Sequence, residues 1–342
     1  MYRLRELARL VEGRVLGDPE VSITGVQPFE RAQEGDLALA GTKKYWFDLS
    51  RTQASAVIVP LGVSSRQKNL LQVDQPKLAF ARLLAAFHHK PFQATGISPL
   101  AHIGKDCKIP EQVSIHPFVY LGNDVVLGER VTLLPGVYIG DRCSLGSDCV
   151  LHPNVTLYEN LQLGRRVVIH SGTVIGADGF GYVFDGQQQV KIEQTGTVEL
   201  GDDVEIGANS CVDRATFGST IIEPNVKLDN HVHIGHNCRI GKNTVIVAQV
   251  GISGSVDIGE NCVLAGQAGV IDHIHIGDNV TVMVKTAVTK DIPSNSTISG
   301  QPAMDHRQTM KIQALTRRLP ELYQDWKAAA DRPEGDKGIR DE

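Results

Sequence analysis

The chain has 342 residues, of which 42% are hydrophobic and 21% charged, so it can form more than one globular piece and is not compositionally disordered. Its formal net charge of -5 gives no reason to expect nucleic acid or an anionic membrane as a partner of the whole chain. We expect no transmembrane segment and a cytoplasmic location, because no stretch approaches about 18 apolar residues and the start "MYRLRELARLVEGRV" lacks a signal-peptide core. The six cysteines form no C-x-x-C pair, which favours reduced, buried thiols over a zinc ribbon or redox motif.

Residues 1–97 carry no long-range repeat and predict a small α/β domain. Two stretches have helical periodicity, "LRELARLV" and "PKLAFARLLAAFHH". Three stretches predict strands, "VSITGV", "ASAVIV" and "LLQV". The segment "KPFQATGISP" predicts a linker to the next domain.

A period of six residues defines the next domain, residues 98–302. Thirteen apolar residues recur at every sixth position from Ile103 to Ile175, and twelve more recur from Ile222 to Val288. A second small or β-branched residue follows most of these positions four residues later, and glycine follows many of them directly. This period fits neither an α-helix nor a heptad.

Six residues make a strand-plus-turn unit, which can bury its apolar face only by stacking against further units. The repeat therefore predicts the coils of a parallel β-helix, with glycine relieving the backbone at the corners. Five of the cysteines support this prediction, because they fall on the second inward position of the unit: Cys107, Cys143, Cys149, Cys238 and Cys262. A non-catalytic β-solenoid scaffold is the alternative that the repeat alone leaves open.

Two segments depart from the period. Residues 177–196, which begin with "ADGFGYVFDGQQQVKIEQT", predict an inserted loop that is long enough to be functional. Residues 303–330 return to helical spacing and predict a C-terminal helical segment that Pro320 splits or kinks. The tail, residues 331–342, is predicted to be disordered.

Three histidines within "DNHVHIGHNCRIG" are candidates for a metal site, a catalytic base or ordinary strand decoration. In a solenoid with 18 residues per coil, residues 18 apart lie above one another, about 4.8 Å apart. This spacing places Gly254 next to His236 and the pair Asp272 and His273 one coil further, which predicts a cleft. His231 and His233 are two residues apart on a predicted strand. Because successive side chains of a strand point to opposite faces, we expect these two to lie on the same face and to be solvated.

A single histidine suits acyl transfer from a thioester, because an amine or hydroxyl nucleophile must lose a proton near neutral pH. In this interpretation His236 is the general base, and the backbone N–H of Gly254 is the donor to the developing oxyanion. His273 orients a substrate phosphate or supports the tetrahedral intermediate. The zinc alternative, as in γ-type carbonic anhydrases, requires three imidazoles that converge across a subunit boundary.

The repeat resembles the hexapeptide-repeat acyltransferase superfamily, whose members are left-handed parallel β-helices with three hexads per coil that work as homotrimers. The resemblance implies a mainly β fold with left-handed coils, a small N-terminal α/β domain and C-terminal helices. Its handedness comes from the resemblance alone, because the general rule for parallel crossovers favours right-handed connections.

Within that superfamily, several motifs are similar to the UDP-3-O-(3-hydroxyacyl)glucosamine N-acyltransferase family: "GADGFGY", "VDRATFGSTII", "DNHVHIGHN", "GVIDHIHIGDNV" and "SGQPAMDHR". The resemblance implies transfer of a 3-hydroxyacyl chain to the 2-amino group of UDP-3-O-acylglucosamine in lipid A biosynthesis. It places the catalytic base on His236 and a second important histidine on His273. This chain has Asp272 before His273 where the family commonly has glycine.

The family's uracil-binding stretch matches "GDLALAGTKKY", residues 35–45, which implies substrate binding by Leu39, Thr42 and Tyr45. Leu39 replaces one of two aromatic residues that flank the ring, and Thr42 replaces an asparagine. A leucine covers a ring face without the quadrupole contribution of an aromatic pair, worth about 0.5–1.5 kcal/mol. The alternative is that Tyr45 only packs within its own domain.

The implied acyl donor is a phosphopantetheine arm on acyl carrier protein, and no tightly bound cofactor or metal is expected. Because that carrier is acidic, a basic patch is expected to dock it. Candidates are Lys290 at the end of the solenoid and Arg307, Lys311, Arg317 and Arg318 in the C-terminal segment. Residues such as Met283 and Val284 are candidates for the groove that holds the acyl chain. Another sugar-nucleotide O- or N-acyltransferase remains an alternative, although the first-step O-acyltransferase starts its repeat at the chain terminus.

Overall fold

The computed structural model describes residues 1–88, 91–300 and 305–330 of the chain. The chain forms two compact units, Met1–Phe92 and Gln93–Glu342. The division precedes the boundary at 97/98 that the repeat suggests, because Gly96–Ile97 already pairs with the strand Ser114–Ile115 as part of the solenoid. The tail that was predicted to be disordered and part of the motif "SGQPAMDHR" lie outside the described residues.

The first unit is an α/β domain, as predicted. Its elements are β1 (Tyr2–Arg3), α1 (Leu4–Leu10), β2 (Arg14–Leu16), β3 (Ser22–Ile23), β4 (Gly25–Gln27), β5 (Asp36–Leu39), α2 (Lys43–Trp46), a 3-10 turn (Leu49–Arg51), β6 (Ala56–Pro60), β7 (Asn69–Val73) and α3 (Pro76–His88). Five strands form one sheet in the order β2, β7, β6, β5, β4, in which only β2 is antiparallel to its neighbour. β1, β2 and β5 lie outside the three stretches that predicted strands.

Alternation along the strands of this sheet builds two cores. Leu37, Ile58 and Leu71 pack with α1 and α3 on one face. Ala38 and Val57, each one residue away from these positions, pack with Phe29 on the opposite face. The alternation follows from the period of two in a β-strand, in which successive side chains point to opposite faces.

The second unit is a parallel β-solenoid of the left-handed β-helix type, which confirms the predicted fold class. Its strands form three sheets, named here faces A, B and C. Face A contains Gly96–Ile97, Ser114–Ile115, Thr132–Leu133, Val150–Leu151, Val168–Ile169, Glu205–Ile206, Lys227–Leu228, Val245–Ile246, Val263–Leu264, Thr281–Val282 and Thr297–Ile298. Face B contains His102–Ile103, Tyr120–Leu121, Tyr138–Ile139, Thr156–Leu157, Val174–Ala177, Cys211–Asp213, His233–Ile234, Gly251–Ile252, Gly269–Val270 and Ala287–Val288. Face C contains Val126–Leu127, Ser144–Leu145, Gln162–Leu163, Thr197–Leu200, Ser219–Ile222, Arg239–Ile240, Asp257–Ile258 and His275–Ile276.

Each regular coil advances by 18 residues, as expected from three hexads. On face B, for example, Ile234 pairs with Ile252, and Ile252 pairs with Val270. The inward residues of the two-residue strands form one continuous apolar cluster along the solenoid and are buried everywhere except in the terminal coils, where Ile97 is exposed and Ile103 and Ile298 are partly buried. Because every coil contributes the same inward positions, the outward positions are left free to carry function.

The corners of the coils explain why glycine recurs in the repeat, and the reason differs from the expected one. The left-handed corner positions are held mainly by asparagine, aspartate and other non-glycine residues, for example Asn243 with a φ of 61°. Glycine instead lies where the next coil passes closely: a Cβ on Gly128 would lie 2.5 Å from the backbone nitrogen of Ser147. The recurrent glycines therefore permit the stacking of coils.

The predicted inward placement of the cysteines is confirmed. Cys143, Cys149, Cys238 and Cys262 are buried, while Cys107 is partly buried against the same cluster. The thiol of Cys143 donates to the carbonyl oxygen of Tyr158 at 2.9 Å, in the next coil. Burial raises the pKa of Cys143 to about 11, so the thiol stays protonated and unreactive at neutral pH.

The inserted loop and the C-terminal segment complete the second unit. The loop contains an antiparallel hairpin of Tyr182–Phe184 with Gln189–Lys191, whose residues are exposed. The C-terminal segment forms one helix, α4 (His306–Ala330), which continues through Pro320 instead of being split by it. None of the helices in the described parts of the chain has the length and hydropathy needed to cross a membrane.

Candidate active site

A cleft of about 620 Å³ opens beside face B, at the place where the spacing of 18 predicted one. We call it the His236 cleft. It is lined by Phe180, Asp213, His233, Gly235, His236, Gly251, Ile252, Ser253, Gly254, Gly269, Val270, Ile271, Asp272, His273 and Ala287. All four residues that the spacing of 18 placed together are among them: His236, Gly254, Asp272 and His273.

His236 follows a face B strand and stacks directly on Gly254 of the next coil. A Cβ on Gly254 would lie 2.5 Å from Nε2 of His236, which is closer than any side chain allows. The two coils are also joined by the backbone, because Ser255 N–H donates to the carbonyl oxygen of His236 at 2.8 Å. The expected stacking of an imidazole on a glycine is therefore present, and the glycine is required by the position of the ring.

The backbone N–H of Gly254 donates to no group within the described residues. At equivalent corners, an Asp or Asn side chain from the next coil accepts this bond: Asn123 N–H donates to Asp141 Oδ1 at 2.7 Å, and Glu260 N–H donates to Asp278 Oδ1 at 2.8 Å. Asp272 occupies the corresponding position below Gly254 but does not accept its bond. The N–H that was proposed as the oxyanion donor is thus available to a ligand in the cleft.

Asn237 fixes the orientation of the catalytic candidate. Its Oδ1 accepts the backbone N–H of Thr216 at 2.9 Å and lies 3.1 Å from Nδ1 of His236. Because Oδ1 can only accept, Nδ1 carries the proton in the neutral ring, and Nε2 presents its lone pair toward Gly254. Nε2 is therefore the nitrogen that can take a proton from a nucleophile.

Asp213 and His233 add a carboxylate and a second imidazole to the cleft. Nε2 of His233 lies 3.7 Å from Oδ2 of Asp213, whose side chain is only 10% exposed. Burial raises the pKa of Asp213 above its ordinary 3.8, while His233 and His236 act in the opposite direction. The side chain of His233 is 52% exposed, as expected for a solvated residue, and it also lines the cleft beside this buried carboxylate.

His231 does not lie on the strand that carries His233, although both were expected on one strand. It lies in the turn before the strand with a φ of 58°, in the left-handed region, so the alternation of a strand does not apply to it. His275 lies on face C, where its Nδ1 is 3.2 Å from Oδ2 of Asp257. Both side chains are exposed, and neither lines the His236 cleft.

His273 is at the rim of the cleft. Its side chain is 74% exposed, and its nearest charged neighbour is Asp272, at 4.0 Å. Its backbone N–H donates to the carbonyl oxygen of Gly254 at 3.2 Å, so the coil that carries His273 is held directly against the coil of Gly254. The imidazole is free to contact a large substrate that enters from the solvent.

The inserted loop forms one wall of the cleft. A Cβ on Gly179 would lie 2.6 Å from Cβ of His236, so the loop packs against the side chain of the candidate base. Phe180, which is 86% exposed, reaches over the cleft. Gln194 holds the return of the loop, because it accepts a hydrogen bond from Thr216 Oγ1 at 3.0 Å and donates to the carbonyl oxygen of Ile192.

A groove leads away from His236 along face B. Gly251, Gly269 and Ala287 occupy successive outward positions of this face, after His233, and none of them carries a side chain beyond Cβ. A Cβ on Gly251 or Gly269 would meet no atom within 4 Å. Met283 and Val284, considered for the acyl groove, are exposed and do not line this cleft.

The candidate nucleotide-binding residues of the first unit do not form one cluster. Leu39 packs with the core that contains α1 and α3. Tyr45 packs with the other core, where its ring stacks on Phe29 with 4.3 Å between the centroids. Thr42 is the exposed residue that precedes α2 and makes no capping hydrogen bond. The structure therefore brings Tyr45 to Phe29 and does not bring it to Leu39.

The basic residues that were considered for docking lie on α4 and are exposed. Arg307, Lys311, Arg317 and Arg318 fall within an arc of about 120° of the helix, by the 3.6-residue period. Arg318 lies 3.7 Å from Glu321. Lys290, at the end of the solenoid, is exposed as well.

Within residues 1–88, 91–300 and 305–330, no three His, Cys, Asp or Glu side chains are placed to hold one metal ion. The stacked six-residue repeats together with the His236 cleft define the class of hexapeptide-repeat transferases. Sequence profiles agree: a bacterial transferase hexapeptide profile matches residues 142–177 and 219–254, and a succinyl-transferase hexapeptide profile matches residues 119–153 and 255–283. A profile described as UDP-3-O-(3-hydroxymyristoyl) glucosamine N-acyltransferase, LpxD, matches residues 20–86 of the first unit.

Relatives with this description match nearly the whole chain. The UDP-3-O-acylglucosamine N-acyltransferase of Methylacidiphilum infernorum is 52% identical over 98% of this chain and 96% of the relative. That of Geobacter sp. strain M21 is 54% identical over 93% of this chain and 92% of the relative. The chain therefore belongs to the UDP-3-O-acylglucosamine N-acyltransferase family. Among solved structures, the UDP-N-acetylglucosamine acyltransferase LpxA of Bacteroides fragilis matches 60% of this chain and 71% of its own, with 24% identity and a TM-score of 0.47.

Proposed function

We propose that this chain transfers a 3-hydroxyacyl group from the phosphopantetheine thiol of acyl carrier protein to the 2-amino group of UDP-3-O-acylglucosamine, a step of lipid A biosynthesis. Family membership over nearly the full length supports the substrates. The observation that carries the mechanism is the stack of His236 on Gly254, with a free Nε2 and a free N–H that face the same cleft.

The reaction needs no covalent enzyme intermediate, because the thioester is already activated. The amino nitrogen forms a bond to the thioester carbonyl carbon, and its proton passes to Nε2 of His236. The carbonyl oxygen becomes an oxyanion that accepts the N–H of Gly254. The C–S bond then breaks, and the departing thiolate takes the proton back from His236, so the enzyme returns to its initial state.

His236→Ala tests this function. We expect it to lower the turnover of UDP-3-O-acylglucosamine by about 10²–10⁴-fold, the range for loss of a general base, with an unchanged far-UV circular dichroism spectrum. His275→Ala is the matched control, because His275 is an exposed histidine on a different face of the same solenoid. If His236→Ala turned over as fast as the control, the assignment of the base would be wrong.

The proposed function also implies an oligomeric state, a location in the cell and a protein partner. The family resemblance supports a homotrimer in the cytoplasm, with acyl carrier protein as a transient partner and no tightly bound cofactor. The exposed basic arc of α4, at Arg307, Lys311, Arg317 and Arg318, is the candidate docking surface for the acidic carrier. Light scattering of the purified protein tests the trimer. Charge reversal within the arc should raise KM for the acyl carrier protein and leave KM for the sugar unchanged.

A further inference from the structure

Asp213 is a buried carboxylate that the mechanism above does not use. Its side chain is 10% exposed and lines the His236 cleft. No group among the described residues donates a hydrogen bond to its carboxylate, and the nearest basic nitrogen, Nε2 of His233, is 3.7 Å away, beyond hydrogen-bond distance. A carboxylate that is removed from water and lacks donors is costly, so its position calls for a ligand that supplies them.

The backbone around Asp213 is rigidly held. Asp213 ends a face B strand and pairs with Ala177 at the base of the inserted loop. The next residue, Arg214, donates from Nε to the carbonyl oxygen of Gly176 and from Nη1 to Glu159, both at 2.7 Å. The carboxylate is therefore preorganised on the wall of the cleft instead of being a mobile surface charge.

We propose that Asp213 binds the amino group of the acceptor sugar and thereby selects an amine over a hydroxyl as the nucleophile. This inference rests on the proposed function and identifies the residue that recognises the reacting group. Asp213, His233 and His236 line the same cleft, and both imidazoles act electrostatically on the carboxylate of Asp213.

The count of hydrogens explains the selection. A neutral amine has two hydrogens: one points to Nε2 of His236, which removes it, and the other donates to the carboxylate of Asp213. As the bond from nitrogen to carbon forms, the nitrogen becomes positively charged, and the carboxylate stabilises this charge until Nε2 takes the proton. A hydroxyl has a single hydrogen, which Nε2 requires, so it leaves Asp213 without a donor.

The groups that act on Asp213 are consistent with this role. Burial raises its pKa, and the nearby Asp178 acts in the same direction, while His233 and His236 lower the pKa. An amine bound in the cleft would supply the hydrogen-bond donor that the described residues do not provide. The carboxylate is thus ready to receive a cation or an N–H donor from the ligand.

Asp213→Asn tests the inference by calorimetric binding of two ligands that differ at the 2-nitrogen. UDP-3-O-acylglucosamine carries a basic amine, and its N-acylated product carries a neutral amide. We expect Asp213→Asn to weaken binding of the amine by about tenfold or more, because a charge-assisted hydrogen bond is lost, and to leave binding of the product within about twofold of the wild type. Asp257→Asn is the matched control, since Asp257 is paired with a histidine on face C, outside the cleft.

Equal weakening for both ligands would show that Asp213 only supports the fold of the cleft, and no weakening for either would show that it does not contact the amine. Either result overturns the inference. The remaining explanation is that the imidazole of His233 recognises the amine. His233→Gln tests it, because this variant would then lose as much affinity for the amine as Asp213→Asn and keep its affinity for the amide product. If Asp213→Asn does not fold, as judged by circular dichroism, Asp213→Ser replaces it in the same titrations. Absence of turnover in the wild-type protein would instead contradict the proposed function.

Discussion

Nε2 of His236 lies 2.5 Å from the point that a Cβ on Gly254 would occupy. A single methyl group at position 254 therefore cannot coexist with the observed position of the imidazole. The backbone at Gly254 is not in the left-handed region, so alanine is compatible with its φ and the effect of the substitution is confined to the cleft.

We expect Gly254→Ala to lower kcat by about 10²–10³-fold, since the methyl group displaces the ring and screens the N–H from the thioester oxygen. The measurement is steady-state turnover together with the midpoint of thermal unfolding. Gly266→Ala is the matched control, because a Cβ there meets its nearest neighbour at an ordinary 3.4 Å. Full activity in Gly254→Ala would show that the stack has no catalytic role.

Asn237 is expected to act through the tautomer of His236. Asn237→Gly keeps the left-handed backbone, for which φ is 59°, but removes the oxygen that orients Nδ1. We expect kcat to fall by at least about tenfold while KM for the sugar changes little. Asn243→Gly makes the same change at an equivalent corner away from the cleft, with a φ of 61°. An equal effect of the two substitutions on kcat would count against the orienting role.

The groove along face B predicts how acyl length is limited. Its outward positions advance by about 4.8 Å per coil, and none of the three residues after His233 fills the space. Ala287→Leu should therefore reduce kcat/KM for the longest 3-hydroxyacyl carrier protein accepted by the wild type, and affect shorter chains less. Val263→Leu enlarges an exposed outward position of face A and serves as control. An unchanged chain-length profile would exclude this groove as the acyl site.

The ion pair between Arg214 and Glu159 predicts a component of acid sensitivity. The hydrogen bond from Arg214 holds the pKa of Glu159 below its ordinary 4.5. A carboxyl whose pKa is lowered by folding stabilises the protein above its unfolded pKa, and this contribution disappears as the pH falls through the folded pKa. Glu159→Gln should therefore lower the unfolding midpoint at pH 7 and reduce its further decline as the pH falls below about 4.5.

Glu223→Gln is the comparison for this experiment, because Glu223 also pairs with an arginine of the solenoid, Arg239, but lies outside the loop base. A Glu159→Gln variant whose stability follows the wild type at every pH would show that the pair contributes nothing measurable. Loss of activity at pH 7 with retained stability would indicate that the pair acts on the inserted loop, which Arg214 holds through Gly176.

The six-residue repeat was sufficient to predict the solenoid and the stack of His236 on Gly254. In a strictly periodic solenoid, residues that are 18 apart in sequence lie next to each other in adjacent coils. The same rule does not place Asp213. The segment after it adds a turn, so Cys211 pairs with His233 at a spacing of 22 residues instead of 18. A residue that precedes such an interruption cannot be placed by counting, although the quoted motif "VDRATFGSTII" marked the segment that contains it.

The six-residue repeat also does not predict the side-chain contacts inside the site. The quoted motif "DNHVHIGHN" contains Asn237, but the hydrogen bond that its Oδ1 accepts from Nδ1 of His236 depends on the position of that oxygen, which also accepts from Thr216 of the preceding coil. In the first unit, Leu39 and Tyr45 are close in sequence, yet alternation along β5 and the position of α2 direct them to different cores. Neither relationship follows from local pattern alone.

The coils also determine where this chain can change in length. The loop of residues 177–196 leaves and returns at a corner, and Val174 still pairs with Cys211 on either side of it. Residues inserted at a corner therefore leave the strand pairing of the neighbouring coils unchanged. Removal of one hexad within a regular coil, by contrast, would rotate everything after it by one face, carrying His273 away from His236. Insertions and deletions within the regular part of such a chain must therefore comprise complete coils of 18 residues, whereas its corners can accept loops of other lengths.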